Sequence, residues 1–305
     1  MDMTSQCSGN GLPEVIGVGP PRTATTWLYE VLKGNVGFPR GVKEADFFLR
    51  YYDKGTGWYR ALFQDCPPGL PAVELCPTYF VSDEARQRIA REIPQCKIIV
   101  TLRDPVARLH SHYRLLRREA WLRDVTFEKT VDRHLKGVER LRMFEVSRYA
   151  FHLRQWQAAF GRDRVLVVFH DDLEDDDQKF IADICSFIGI PEIDLAASPL
   201  TGERVNTITD APRSRKLAKA LRTAIFRLRA HKLYGAINWW DRTWLWRLAF
   251  EGGERFPEFD RALEMRLREH FRSEVEALEV LTGRDLSHWK EGGHRASIAT
   301  VAGVD

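Results

Sequence analysis

The chain has no run of about 18 consecutive apolar residues, and its first 20 residues carry neither Lys nor Arg nor an apolar core of the kind a secretory leader needs. A membrane-spanning helix and a cleaved leader are therefore not expected, and residues 1–12 read as a loose tail. Cysteine is scarce: Cys7, Cys66, Cys76, Cys96 and Cys185 are odd in number and scattered. With no CxxC pair and no His-partnered spacing, neither a disulfide framework nor a zinc site is indicated, and a reducing, cytoplasmic setting is expected. An excess of one charge is missing too, since 46 Lys and Arg against 43 Asp and Glu leave +3 over 305 residues, too little to imply nucleic acid. With 44% hydrophobic and 29% charged residues, the composition fits a globular chain of one large or two modest domains.

What is present is organised around Glu14 to Leu32, EVIGVGPPRTATTWLYEVL. Val15, Ile16 and Val18 form a short apolar strand, Gly19-Pro20-Pro21 breaks it, and Thr25-Thr26 precede a helical pattern of Trp27, Leu28, Val31 and Leu32. A strand that feeds a helix this sharply aims unpaired N–H groups and the positive end of the helix dipole at one point, beside Arg22 and the threonine hydroxyls. Such a point suits a phosphate. The nucleoside-triphosphate form of the loop, GxxxxGK[ST], is absent: Ala24 stands where its second Gly would be, and no Lys-Ser/Thr pair offers a magnesium ligand. The loop is expected to bind phosphate without a metal.

Glu44 follows 22 residues after Arg22, the distance at which a strand–helix unit returns to the end of its sheet. A carboxylate there can act as a general base with Lys43 balancing its charge, or the two residues can form an ordinary surface ion pair. Ala72 to Leu75 reads as a second strand running into Cys76-Pro77-Thr78-Tyr79-Phe80, and Ser82-Asp83-Glu84 reads as a helix start. KIIVTL, Lys97 to Leu102, is the clearest buried parallel strand. It delivers Arg103 to its carboxyl end, with Asp104 as cap and Pro105 as first residue of a helix that carries Ser111 two turns in. Two anion sites on neighbouring strands imply a ligand with two separated phosphates.

These segments resemble the sulfotransferases that use 3′-phosphoadenosine 5′-phosphosulfate (PAPS), in particular the carbohydrate-type and bacterial members. PPRTATTWL is similar to the loop that holds the 5′-phosphosulfate, and LRDPVARLHSHY to the strand–helix that holds the 3′-phosphate through Arg and Ser. KEADFF, ELCPTYF, SRYAFHLRQW and LTGRDLSHW extend the likeness over most of the chain. The resemblance implies transfer of a sulfuryl group from PAPS to a hydroxyl or amine, with Glu44 as base and Arg22 and Lys43 completing the catalytic set. It implies nucleotide binding by Arg22, Thr23, Ala24, Thr25, Thr26, Trp27, Arg103 and Ser111, and acceptor contacts at Glu74 and Tyr79. It implies no metal. Leu75 and Asp46 depart from the heparan-type pattern, which has Lys and His there, and His110 and His112 are read as neighbours of the 3′-phosphate helix rather than catalysts.

Residues 114 to 146 are charged and helical in pattern, RVLVVF at Arg164 to Phe169 is a further strand, and the acidic run from Asp171 to Asp177 is a solvated helix entry that matches no calcium loop. Arg213 to Lys232 holds eight Lys/Arg and no acid, with Leu217, Leu221, Ile225 and Leu228 at helical spacing. This helix can lie on an anionic membrane, cover the nucleotide's phosphates through Arg213 and Arg215, bind an acidic acceptor, or show a basic solvent face from the core. Four of the nine tryptophans, Trp239, Trp240, Trp244 and Trp246, fall within eight residues. They are expected either to pack on the basic helix or to wall an acceptor pocket through Trp239 and Trp240, which points to an amphipathic, lipid-linked or aryl acceptor. A soluble glycan is the alternative, and the rival classes are a nucleotide-dependent kinase and a non-catalytic peripheral membrane protein. A last helix from about Pro257 to Leu281 ends at Gly283. The expected architecture is an α/β domain over 13–290, with a P-loop-like parallel sheet of four or five strands, helices on both faces and a helical C-terminal cap. Residues 213–256 form its basic, Trp-rich part, and 291–305 a disordered tail.

Overall fold

The computed structural model describes residues 11–122, 125–197, 210–230, 249–250, 252–257 and 260–292, with the backbone alone for 226–230. Four short, strongly apolar segments form its strands: β1 (Val15–Gly17), β2 (Val73–Leu75), β3 (Lys97–Leu102) and β4 (Val165–Phe169). The helices, in order, are α1 (Thr25–Leu32), α2 (Gly55–Arg60), α3 (Asp83–Glu92), α4 (Pro105–Arg118), α5 (Phe127–Leu135), α6 (Arg142–Glu145), α7 (Tyr149–Phe160), α8 (His170–Asp175), α9 (Asp177–Ile188), α10 (Arg215–Ala230), α11 (Arg261–Thr282) and α12 (Ser287–Glu291). All strand pairings are parallel, in the order β2-β1-β3-β4, with Val15 facing Val73 on one side and Lys97 on the other.

Because successive strand residues point to opposite faces, the sheet needs cover on both. Val15, Val73, Leu75, Ile99 and Val168 pack under α1 and α9 with Leu28, Leu32, Ile181 and Ile184. Ile16, Ile98, Val100 and Leu102 pack on the other face with α2, α3, α7 and the end of α11. Each fully buried Leu or Ile there contributes roughly 1.5–3 kcal/mol. The C-terminal half of the cap is built the same way: Leu263, Leu267 and Phe271 of α11 meet Val106, Leu109 and Tyr113 of α4.

Several boundaries differ from those expected. Leu12, assigned to the tail, is buried in the core. The segment 114–146 is not continuous helix, since α4 stops at Arg118 and left-handed turns at Ala120 and Gly137 set off α5 and α6. The aromatic segment after Glu44 winds into a π-helical turn, Phe47–Tyr51, followed by α2; Phe47 stacks on Tyr59 at 4.3 Å between ring centres. No helix among the described residues is long and apolar enough to cross a membrane.

Candidate active site at the sheet switch point

The strand order places the chain reversal between β1 and β3: the connection after β1 leads to β2 on one side and the connection after β3 to β4 on the other. Open parallel sheets bind ligands at that point, outside the carboxyl ends of the strands. The loop after β1 lies close against β3: a Cβ on Gly19 would stand 2.2 Å from Thr101 Oγ1 and 2.6 Å from its backbone nitrogen, so only glycine fits. Thr23, fully buried, donates to Pro20 O at 2.7 Å and shares a 2.6 Å hydrogen bond with Thr101, which pins the turn from beneath. Arg22 and Ala24 both adopt left-handed backbone, φ 76° and 68°, a conformation that costs non-glycine residues roughly 1–2 kcal/mol each. No side chain caps α1; its first intrahelical bond is Leu28 N–H to Ala24 O at 3.0 Å. The N–H groups of Thr25, Thr26 and Trp27 are thus left for an external acceptor by helix geometry.

The two expected anion sites meet. Arg22 Nε donates to Ser111 Oγ at 2.9 Å, joining the β1 loop to α4 across the switch point. Arg22 is brought down to about 10 by burial first and then by the charges of Arg103 and Arg118. A guanidinium held among other cations and partly out of water is a place where an anion relieves both penalties. Arg103 stands at the carboxyl end of β3, its carbonyl accepting from Tyr149 OH at 2.9 Å.

Lys43 and Glu44 arrive at the same crevice. Lys43 Nζ donates to Thr26 Oγ1 at 2.7 Å and lies 3.8 Å from Glu44 Oε1. Burial lowers the Lys43 pKa, with Arg22 adding to that and Glu44 opposing it. Glu44 itself is exposed, so its carboxylate opens to an incoming molecule. The loop beneath it is set by Glu74: Oε1 accepts from Ala45 N–H at 3.1 Å, Asp46 N–H at 3.2 Å and Tyr79 OH at 3.0 Å, while Oε2 accepts from Tyr59 OH. Glu74 and Tyr79, both read from sequence as acceptor contacts, have no exposed surface. The structure places them under the loop that carries Lys43 and Glu44, as its anchor, because a strand covered on both faces turns even an acidic side chain inward.

Trp27 packs edge-on to Phe180, 5.8 Å between ring centres, so its ring faces α9. Arg213 and Arg215 line a 370 Å³ cavity with Arg117, Glu254 and the backbone at Gly252 and Gly253. Trp239 and Trp240 lie outside the described residues. His110 sits beside Phe127, and His112 Nδ1 accepts from Arg108 Nη1 at 3.1 Å; burial first, and adjacent arginines second, lower both to about 3, so both rings are neutral. The acidic run begins α8 and caps α9 through Asp176. His170, Asp171 and Glu174 bring ligand-type atoms within 4.8 Å of one another, but Asp171 already accepts from His288 and Trp289.

Sequence reasoning missed Thr101 as the tether of the loop and Tyr59 as the third anchor of Glu74. It also missed Arg108, which is fully buried and donates to Ser147 Oγ and Met143 O. The density of aromatics after Glu44 was the one available signal for Tyr59. Nothing marks Thr101 or Arg108 within an otherwise ordinary strand and a basic helix.

Fold and site together define an open parallel α/β protein in which the loop after β1 and the helix after β3 meet at the switch point through Arg22 and Ser111. Comparison with known proteins makes the class specific: the model of the sulfotransferase domain matches residues 12–223, and the chain belongs to that family. A human heparan sulfate glucosamine 3-O-sulfotransferase 3B1 is 32% identical over 200 residues, covering 63% of this chain and 50% of the relative. The mouse bifunctional heparan sulfate N-deacetylase/N-sulfotransferase 4 is 31% identical over 197 residues, covering 59% of this chain and 22% of the relative. The alignments thus span half or less of these relatives' lengths. The crystal structure of a sulfotransferase from Alicyclobacillus acidocaldarius superposes with a TM-score of 0.63 at 20% identity, over 91% of this chain and 98% of that one. That match shows the fold, including the helical C-terminal region.

Proposed function

We propose that the chain transfers a sulfuryl group from PAPS to a hydroxyl or amine acceptor. The observation that carries this reading is the 2.9 Å contact between Arg22 and Ser111, which brings the loop after β1 and the helix after β3 together at one crevice, as a nucleotide with two separated phosphates would require. In this reading the N–H groups at the start of α1, with Arg22 and Lys43, hold the 5′ end and steady the negative charge that grows on the departing phosphate oxygen. Arg103 and Ser111 hold the 3′-phosphate. Glu44 takes the acceptor's proton as the acceptor oxygen or nitrogen bonds to sulfur and the sulfur–oxygen bond to the donor breaks. Lys43, hydrogen-bonded to Thr26 and beside Glu44, couples the base to the donor end of the site.

Of the two acceptor classes open from the sequence, the glycan class draws support from the relatives, whose names describe action on heparan sulfate. The amphipathic class rests on Trp239, Trp240, Trp244 and Trp246, which lie outside the described residues, and contact with an anionic membrane rests on the basic segment Arg213 to Lys232, which contains α10. Thermal stabilisation tests the donor reading. Adenosine 3′,5′-bisphosphate without metal should raise the melting temperature, since a ligand at 100 times its Kd adds about 2.7 kcal/mol, and adenosine 5′-phosphate should do so far less. Stabilisation by ATP and magnesium in place of the bisphosphate would point to a kinase.

A further inference from the structure

We infer that the C-terminal helices α11 and α12 act as a clasp that sets the 3′-phosphate site, with Arg268 as its positioning residue; this rests on the nucleotide reading above. Arg103 is fixed at two places behind its guanidinium. Its carbonyl accepts from Tyr149 OH, and the next residue, Asp104, caps α4 by accepting from Val106 N–H at 2.8 Å and Ala107 N–H at 3.2 Å through Oδ1. The other oxygen of Asp104 accepts from Arg268 Nη1 at 3.0 Å.

Arg268 is only 6% exposed, next to the apolar stripe of α11. It also donates to Glu264 Oε1 at 2.6 and 2.9 Å and to the carbonyl of Trp289 at 2.5 Å. Trp289, the buried centre of α12, donates its ring N–H at 2.7 Å to Asp171 in α8, two residues past β4, and its ring lies against Phe169 and Tyr149. One connected set of bonds therefore runs from α8 through Trp289 and Arg268 to Asp104. The ring of Tyr149, the residue that holds the Arg103 carbonyl, packs on the same tryptophan.

A buried ion pair is a poor source of stability, because apolar side chains of the same size do as well. What the pair supplies here is direction. With Oδ2 of Asp104 held by Arg268, Oδ1 is left to the two helix amides, and the turn carrying Arg103 has one orientation. Residues 261–291 lie outside the 12–223 segment matched by the family model, and of the clasp only LTGRDLSHW, which ends at Trp289, is among the segments that carry the resemblance; Arg268 is not.

The test uses the full chain with Arg268→Met, which keeps the length of the side chain and loses its charge, and Arg268→Lys, which restores a cation for Asp104. Calorimetry gives the ratio of affinities for adenosine 3′,5′-bisphosphate and adenosine 5′-phosphate. Arg268→Met should lower that ratio on the order of tenfold, as expected when a charge-assisted contact is mis-set, with binding of adenosine 5′-phosphate nearly unchanged and partial recovery in Arg268→Lys. An unchanged ratio, or equal weakening of both nucleotides, overturns the positioning role. If Arg268→Met does not fold, Asp104→Asn, which keeps a cap oxygen but weakens the pair, must show the same fall. If the parent does not prefer the bisphosphate, the nucleotide reading itself fails, and the clasp's role with it.

Discussion

Replacing Glu74 by Gln should change how stability depends on pH, by an amount that follows from its surroundings. The carboxyl is fully buried, and burial raises its pKa from about 4.5 to about 7 despite the hydrogen bonds from Tyr59 and Tyr79 that favour the charged form. Between those two pH values the folded chain holds a proton that the unfolded chain has released, so stability falls as pH rises through the window. At about 1.4 kcal/mol per pH unit, the loss is about 3 kcal/mol. Gln cannot ionise. Its Oε1 can still accept from Ala45 N–H, Asp46 N–H and Tyr79 OH, while its amide turns a donor towards the Tyr59 oxygen. Urea unfolding of both proteins from pH 4.5 to 8 isolates the effect, because all other titrating groups cancel in the difference. Glu74→Gln should gain about 3 kcal/mol relative to the parent across that range. A difference independent of pH would refute the reasoning: Glu74 would then remain an anion inside its hydrogen-bond shell.

Gly19→Ala should destabilise by about 1–3 kcal/mol and weaken nucleotide binding, because its Cβ would meet Thr101 backbone at 2.6 Å; a melting curve and a nucleotide titration check it. Arg103→Ala should abolish the preference for adenosine 3′,5′-bisphosphate over adenosine 5′-phosphate with little change in unfolding. His110 and His112 are neutral in the folded chain, with pKa values lowered by burial to about 3. The unfolded chain takes up those protons as pH falls below about 6.5, so stability should drop there, and less steeply in His110→Phe.

Much of this site can be read from the chain because its parts are local. A strand, a Gly-Pro-Pro break and a helix start are contiguous in EVIGVGPPRTATTWL, and Arg103, Asp104 and Pro105 occupy adjacent positions, so neither depends on knowing the topology. Strand order, by contrast, is a long-range property, and with it went the direction of Glu74. A lone acid between Val73 and Leu75 looks like a residue reaching a site, whereas helices on both faces of the sheet force it into the core. Arg268 was hidden for the opposite reason. Four residues after Glu264 on a long helix, it has the spacing of a solvated ion pair, and only the approach of α4 and α12 makes it buried.

The central claim is that one crevice binds the sulfuryl donor and that Glu44 takes the acceptor's proton there. Transfer of labelled sulfate from PAPS, measured for the parent and Glu44→Gln across glucosamine-containing glycans, glycolipids, phenols and aliphatic alcohols, tests it most directly. The account predicts transfer by the parent without added metal, and a fall in turnover of about 10²–10⁴-fold in Glu44→Gln with affinity for adenosine 3′,5′-bisphosphate nearly unchanged. Turnover by Glu44→Gln equal to that of the parent, or a parent that binds the bisphosphate yet transfers sulfate to none of these acceptors, would contradict it.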